Sequence, residues 1–182
     1  MLAGRALFCE MHSFMASELG PKFVLEDVLQ FGSIPLVFAS SDKRHTLNSY
    51  CQLYLKEEVQ MEGLVRNIGD FSRFLETLSF SHGSMVSLSN IARECEINRK
   101  TTEGYLSIVE DLLLGFRLPV FTRKAKRQLT NHPKFYFFDA GVFQTLRPIG
   151  PMDLKTEAEG VALEGVIAQH IRSWISYNHR RN

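Results

Sequence analysis

Between Asp111 and Asp139 the chain carries no acid, while Arg117, Arg123, Lys124, Lys126, Arg127 and Lys134 supply six positive charges. Charges gathered this way suit a phosphate backbone, where each neutralised phosphate releases condensed counterions. They suit a carboxylate-rich protein surface as well, and a merely solvated hairpin needs no partner. Just upstream, "EINRKTT" sets Asn98, Arg99, Lys100 and Thr101 at the start of a predicted helix. That end of a recognition helix is the part that reaches base edges in the major groove. Contact with double-stranded DNA, protein-only contact and contact with RNA are the readings these cations leave open, in that order.

The carboxylates ask for different chemistry. Asp139 closes the aromatic run of "HPKFYFFDAGVFQTL". It stands between a predicted strand and a short helix, where its side chain can accept from the free amides of the first turn. A catalytic or metal-binding role would need partner residues, whereas the cap needs none. Glu164, on the last predicted helix, is the better placed of the nuclease-type candidates. Asp153-Leu-Lys155 matches the Asp/Glu-x-Lys string of metal-dependent nucleases, but it lies in a Pro/Gly linker with no acid-bearing strand before it, and three residues are weak support. His170 falls on an apolar stripe and reads as a packed histidine. No glycine in the chain is followed by lysine, so a phosphate-cradling Gly-x-x-x-x-Gly-Lys-Ser/Thr loop is absent. The six histidines have no ligand spacing. Neither a catalytic residue, a metal site nor a cofactor is expected of this chain, and it is read as a non-enzyme.

Those residues need a scaffold. The chain has 182 residues, 45% hydrophobic and 23% charged, with a net charge of +1, enough for one ordinary domain or two small ones with a real core, and with no global field. Cys9, Cys51 and Cys95 are far apart and odd in number, which argues against a disulfide framework or a zinc site and fits a reducing cytosol. No run approaches a membrane helix, and "MLAGRALFCEMHSF" lacks the layout of a signal peptide.

"RALFCEMH" reads as a strand leading to a helical turn around Met15–Leu19, and "VLEDVLQFG" as a helix stopped by Gly32. Leu47, Cys51, Tyr54, Leu55 and then Leu64, Ile68, Phe71, Leu75 and Leu78 recur at helical spacing, which predicts helices over 43–61 and 63–80. Residues 88–94 form a short predicted helix, Glu96–Asn98 a turn, and Lys100–Leu114 a longer helix striped by Tyr105, Ile108, Val109, Leu112 and Phe116. Two helices at a tight turn are the helix-turn-helix pattern. "FRLPVFT", the polar "RKAKRQLTNHP" and "KFYFFDA" add strand, basic turn and strand, which is how a winged helix reads in sequence. After a linker at Pro148–Thr156, a helix over 157–177 carries Leu163, Ile167, His170, Ile171 and Trp174 on one face. So apolar a face needs a partner layer, which predicts self-association through 157–177 or a frayed end. The expected fold class is α+β, mostly α-helical, with a winged helix-turn-helix core and flanking helices.

"LAGRALFCEMHSFMASELG", "LEDVLQFGSIP", "LYLKEEVQMEGLVRNIGDFSRFLE", the block from Ser87 to Phe121 and "HPKFYFFDAGVFQTL" together resemble the C-terminal half of a group of prokaryotic AAA-type ATPases. In that group a P-loop module precedes a winged-helix region, and a domain resembling restriction-type nucleases follows. The resemblance runs from Leu2 to about Arg172. It implies a division into 1–40, the end of an ATPase module; 41–83, a helical connector; 84–139, the winged helix-turn-helix; and 140–182, the start of a nuclease-like domain. It implies that "GVALEGVIAQHIRSW" is the helix that carries the nuclease-like glutamate, Glu164, and that Arg5 lies near a nucleotide only in an intact ATPase. The phosphate loop and the strands bearing the remaining nuclease acids have no counterpart here. The expectation is therefore a non-catalytic, cytoplasmic module, either DNA-binding or docking on the ATPase module or another protein.

Overall fold

The computed structural model describes residues 10–54, 59–60, 63, 65–120, 133–150 and 154–178. Helices dominate, and a three-stranded antiparallel sheet is the one extended feature among the described residues, so the class is α+β and mostly α-helical. The first helices are short. Ala16–Leu19 (α1) passes through a 3-10 turn at Gly20–Lys22 to Leu25–Phe31 (α2), and Pro35–Phe38 (α3) leads to Lys43–Ser49 (α4). Asp42 caps α4 by accepting from the His45 amide at 3.0 Å, and the helix then loosens into a π turn at Tyr50–Tyr54. Of the predicted first strand, residues 5–9 lie outside the described residues and 10–12 have no regular structure.

Ile68–Ser79 (α5) starts five residues later than the apolar spacing predicts. Asn67 sets that start, its side chain accepting from the Gly69 and Asp70 amides at 3.0 and 3.2 Å. Its buried face, Phe71, Phe74, Leu75 and Leu78, meets Leu88–Glu94 (α6) and Arg99–Asp111 (α7). Tyr105 of α7 is edge-on to Phe71 and Phe74, with centroids 5.3 and 5.5 Å away. Each such fully buried ring contributes on the order of 2–3 kcal/mol.

The sheet has the order β1–β3–β2, with β1 at Ser84–Met85, β2 at Gly115–Leu118 and β3 at Lys134–Phe137. Gly115 pairs with Phe137 and Leu118 with Lys134, so the cation-rich segment between them leaves and rejoins the sheet at one end. Phe116 belongs to β2 and stacks on Tyr136; it is not the last residue of the α7 stripe, as the spacing suggests. Ala140–Leu146 (α8) and Lys155–Asn178 (α9) complete the chain, with α9 lying over the outer face of the sheet. One cluster of buried side chains runs from Val28 to Val166 and draws on all four predicted segments.

Asp139 is 1% exposed and caps α8, with Oδ1 accepting from the Gly141 and Val142 amides at 2.9 and 3.3 Å. Its Oδ2 also accepts from the Ser33 amide at 2.8 Å, across 106 residues of sequence. The approach is too close for side chains. A Cβ on Gly32, whose φ of +73° already favours glycine, would run into the Asp139 carboxylate, and one on Gly141 would run into the Phe31 carbonyl. Burial raises the Asp139 pKa, and the three amides pull it back down by favouring the carboxylate. Asp139→Ala is therefore expected to cost roughly 2–4 kcal/mol, the loss of a cap plus buried amides left without an acceptor. Asp42→Ala, which removes only an exposed cap, should cost about 1 kcal/mol. Denaturant unfolding of both variants checks this, and equal losses would refute the cross-chain tie.

Candidate nucleic-acid interface

The turn between α6 and α7 is built without glycine. Glu96 takes the left-handed conformation, φ +56°, and the Ile97 amide reaches back to the Ala92 carbonyl at 3.0 Å, the Schellman closure of a helix end. Asn98 then starts α7 by accepting from the Thr101 amide at 2.8 Å. Thr102 is fully buried and its hydroxyl donates to the Asn98 carbonyl at 3.2 Å. Thr102, Tyr105, Leu106 and Val109 face the core, which turns Arg99, Lys100, Glu103, Gly104, Ser107 and Asp111 outward.

The four residues expected at the recognition end thus differ in their availability. Arg99 and Lys100 are exposed, and Arg99 is held by Glu103 one turn on, Nε to Oε1 at 3.1 Å. Exposed pairs of this kind contribute at most about 1 kcal/mol, so a phosphate can displace Glu103. Asn98 Oδ1 is already engaged as the cap, and Thr101 is half-buried. Arg123, Lys124, Lys126 and Arg127 lie outside the described residues, as do Arg5 and Asp153.

Two cations of the acid-free stretch have acids brought to them from elsewhere. Arg117 makes a two-pronged contact with Glu110 of α7, 2.8 and 2.7 Å. Lys134 meets Glu164 of α9 at 2.8 Å, and the Tyr136 hydroxyl donates to the same oxygen at 2.6 Å. Lys134 first, then Tyr136, lowers the Glu164 pKa, while burial and the carboxylate raise that of Tyr136. Glu164 is thus a half-exposed anchor between α9 and β3. No group of three or more His, Cys, Asp or Glu side chains that could hold a metal occurs among the described residues. His170 is packed, its Nε2 accepting from the Ala16 amide at 2.8 Å while Nδ1 faces the Val166 carbonyl at 2.8 Å. A cleft of about 30 Å³ beside Ser13, Phe116 and Gln169 is water-sized.

His82 is not singled out by any pattern in the sequence. It is 2% exposed, stacked 4.1 Å from Phe143, and its Nδ1 accepts from the Phe137 amide at 3.0 Å. Nε2 has no partner and faces Gly165 of α9, where any Cβ would strike the ring. No spacing in the sequence signals this, and its neighbours there, Ser81, Gly83 and Ser84, give no hint of burial.

Residues 23–153 match the family described as a domain of unknown function (DUF8612). The chain is 25% identical over 182 residues to "Uncharacterized protein Rv2008c" of Mycobacterium tuberculosis (strain ATCC 25618 / H37Rv). It has the same identity to "Uncharacterized protein Mb2031c" of Mycobacterium bovis (strain ATCC BAA-935 / AF2122/97). Each match takes in 97% of this chain and 41% of the relative, so the chain spans about two fifths of the length of these curated relatives. No solved structure matches. Among the described residues no helix is long and apolar enough to cross a membrane.

Burial pushes the His82 pKa down to about 3; Glu164 opposes this and Arg147 adds to it. From the ordinary value of 6.5 down to about 3, the unfolded chain binds a proton there that the folded chain refuses. Stability from this residue therefore falls as pH drops through that window, by about 1.4 kcal/mol per pH unit. Asp139, with its raised pKa, contributes in the opposite sense near its own titration, so the residue-specific quantity is a difference between chains. His82→Gln retains an acceptor for the Phe137 amide and does not titrate. Its unfolding free energy should depend on pH less steeply than that of the unaltered chain by about 1.4 kcal/mol per unit between pH ~4 and ~6. Parallel pH profiles would show that His82 is not buried neutral.

Proposed function

We propose that this chain, which belongs to the family described as a domain of unknown function (DUF8612), is a non-catalytic winged-helix module that grips duplex DNA. In this reading the N-terminal turn of α7 enters the major groove with Arg99 and Lys100 leading, while the β2–β3 connection lies along the phosphates. Asn98 and Thr101 hold the helix end in shape. The observation that carries the reading is one of position: α7 closes directly onto the hairpin whose connection bears Arg123, Lys124, Lys126 and Arg127 with no acid among them. The order of elements, helix, short strand, two helices at a tight turn, then an antiparallel hairpin with the short strand as its third member, supports a winged helix-turn-helix. The module would serve a P-loop ATPase, as the sequence resemblance implies, and the greater length of the relatives leaves room for one.

A docking module that regulates the ATPase without touching DNA is the second reading, and one observation favours it. Glu103 and Glu110 of α7 sit against Arg99 and Arg117, so the outward face of the helix is mixed in sign and suits a mixed protein surface.

Fluorescence anisotropy of a labelled duplex, titrated at two salt concentrations, separates them. Four phosphate contacts give a salt slope near −3.6, so raising salt fourfold should weaken binding on the order of 100-fold. Replacing Arg99, Lys100, Lys126 and Arg127 together by Ala should remove most of that slope. Binding that ignores salt, or that survives the four substitutions, would overturn the DNA reading. No binding by either chain would leave the docking module.

A further inference from the structure

Two cations flank the end of the sheet at which the cation-rich connection leaves it, and the strand register puts them on opposite faces. Phe116 pairs with Tyr136 and Leu118 with Lys134, so these four share one face. That face turns to α9, where Lys134 and Tyr136 meet Glu164. Arg117 pairs with Phe135 on the other face and reaches α7 instead. There its Nε and a terminal nitrogen donate to the two Glu110 carboxylate oxygens at 2.8 and 2.7 Å. Both side chains keep contact with solvent, 42% exposed for Arg117 and 26% for Glu110. A phosphate offers a guanidinium the same two-pronged seat and the same sign of charge as a carboxylate.

We propose that Glu110 is an internal stand-in for a backbone phosphate: it occupies Arg117 in the unbound chain and gives way to a duplex that brings a phosphate to the α7 face of the hairpin. This rests on the DNA reading above and adds the regulation of that contact. From Arg99 to Glu110 α7 rises about 16 Å, whereas a major groove about 8.5 Å deep takes in roughly the first half of that length. The Glu110 end then stands at the rim of the groove, where the backbone phosphates run. Lys134 is on the far face, against α9, and takes no part. A polyanion arriving in any other orientation meets a guanidinium that is already satisfied. The pair therefore disfavours loose binding and favours a ligand that seats the first turn of α7 at the same time. In the unaltered chain the exchange returns a carboxylate to solvent as it takes up a phosphate, so it adds nothing to the salt slope.

The same anisotropy titration at two salt concentrations tests this with four altered chains. Glu110→Gln keeps an acceptor for Arg117 but removes the charge. It should tighten duplex binding about 5-fold at the lower salt, the effect of one exposed ion pair, and steepen the salt slope by about 0.9. Glu164→Gln makes the same change of charge on the opposite face and should leave the slope as it is. Arg117→Gln and the double variant Arg117→Gln/Glu110→Gln should match one another, because the gain from Glu110→Gln comes only through Arg117. Far-UV circular dichroism confirms that each chain is folded. The inference is overturned, and the DNA reading left standing, if the unaltered chain binds and Glu110→Gln binds no better. An equal gain from Glu164→Gln, or a gain that persists without Arg117, has the same consequence. Should none of the chains bind the duplex, both readings fall together.

Discussion

A single buried carboxylate holds the two halves of this molecule in register. Asp139 accepts from Ser33, Gly141 and Val142, and so joins the turn after α2 to the start of α8. A buried charge is costly unless hydrogen bonds answer it, and here the answer comes from amides that helix starts and turns leave unpaired anyway. The glycines at 32 and 141 follow from this contact, because backbone has to come within reach of the carboxylate from both sides. The Phe14 amide donating to the Ser33 carbonyl at 3.0 Å extends the tie to the start of the described chain. Cys51 is influenced as well: burial first, and the Asp139 charge second, push its thiol up to about 12, so it is inert packing.

The sheet depends on that tie in turn, since β3 runs straight into Asp139. Its inner face carries Phe135 and Phe137 into the core, edge to face at 5.0 Å, and its outer face carries Tyr136 towards α9. His82 takes a position between the two: it accepts from the Phe137 amide and stacks on Phe143, with its unpaired nitrogen against Gly165. A buried polar atom without a partner costs free energy, and the aromatic stack that surrounds the ring offsets it. The docking of α9 therefore rests on polar contacts at Glu164, Gln169 and His170 around a close approach at Gly165.

Much of the helical scaffold was legible because its signals are local. The helix at 88–94 follows from Ser87 and the spacing of Leu88, Ile91 and Ala92, and it is found with those bounds. Asp139 reads as a cap for the same reason. What was not legible is action at a distance. The reach from Asp139 to Ser33 spans 106 residues, and the pairing of Lys134 with Glu164 spans 30. A stretch without acids in sequence is thus not a stretch without acids in space. Helix ends were misjudged where the usual residue is missing: Leu113 takes φ +59° in place of glycine, which ends α7 at Asp111 and frees Phe116 for the sheet. The two-residue strand at Ser84–Met85 is too short to leave a pattern.

These long-range pairs bear on what the candidate interface can do. If all six cations of the stretch were unpaired, the hairpin would be a strongly positive arm. With Arg117 against Glu110 and Lys134 against Glu164, two of those six cations already have an acid beside them. Pairing the strand cations fixes the roots of the hairpin against α7 and α9, so its two ends are set by the body and not by the partner. Under the DNA reading proposed above, a duplex would meet a helix end and strand roots that are already held in place. Groups held in place before binding lose less entropy on binding, which is what such a reading would draw on.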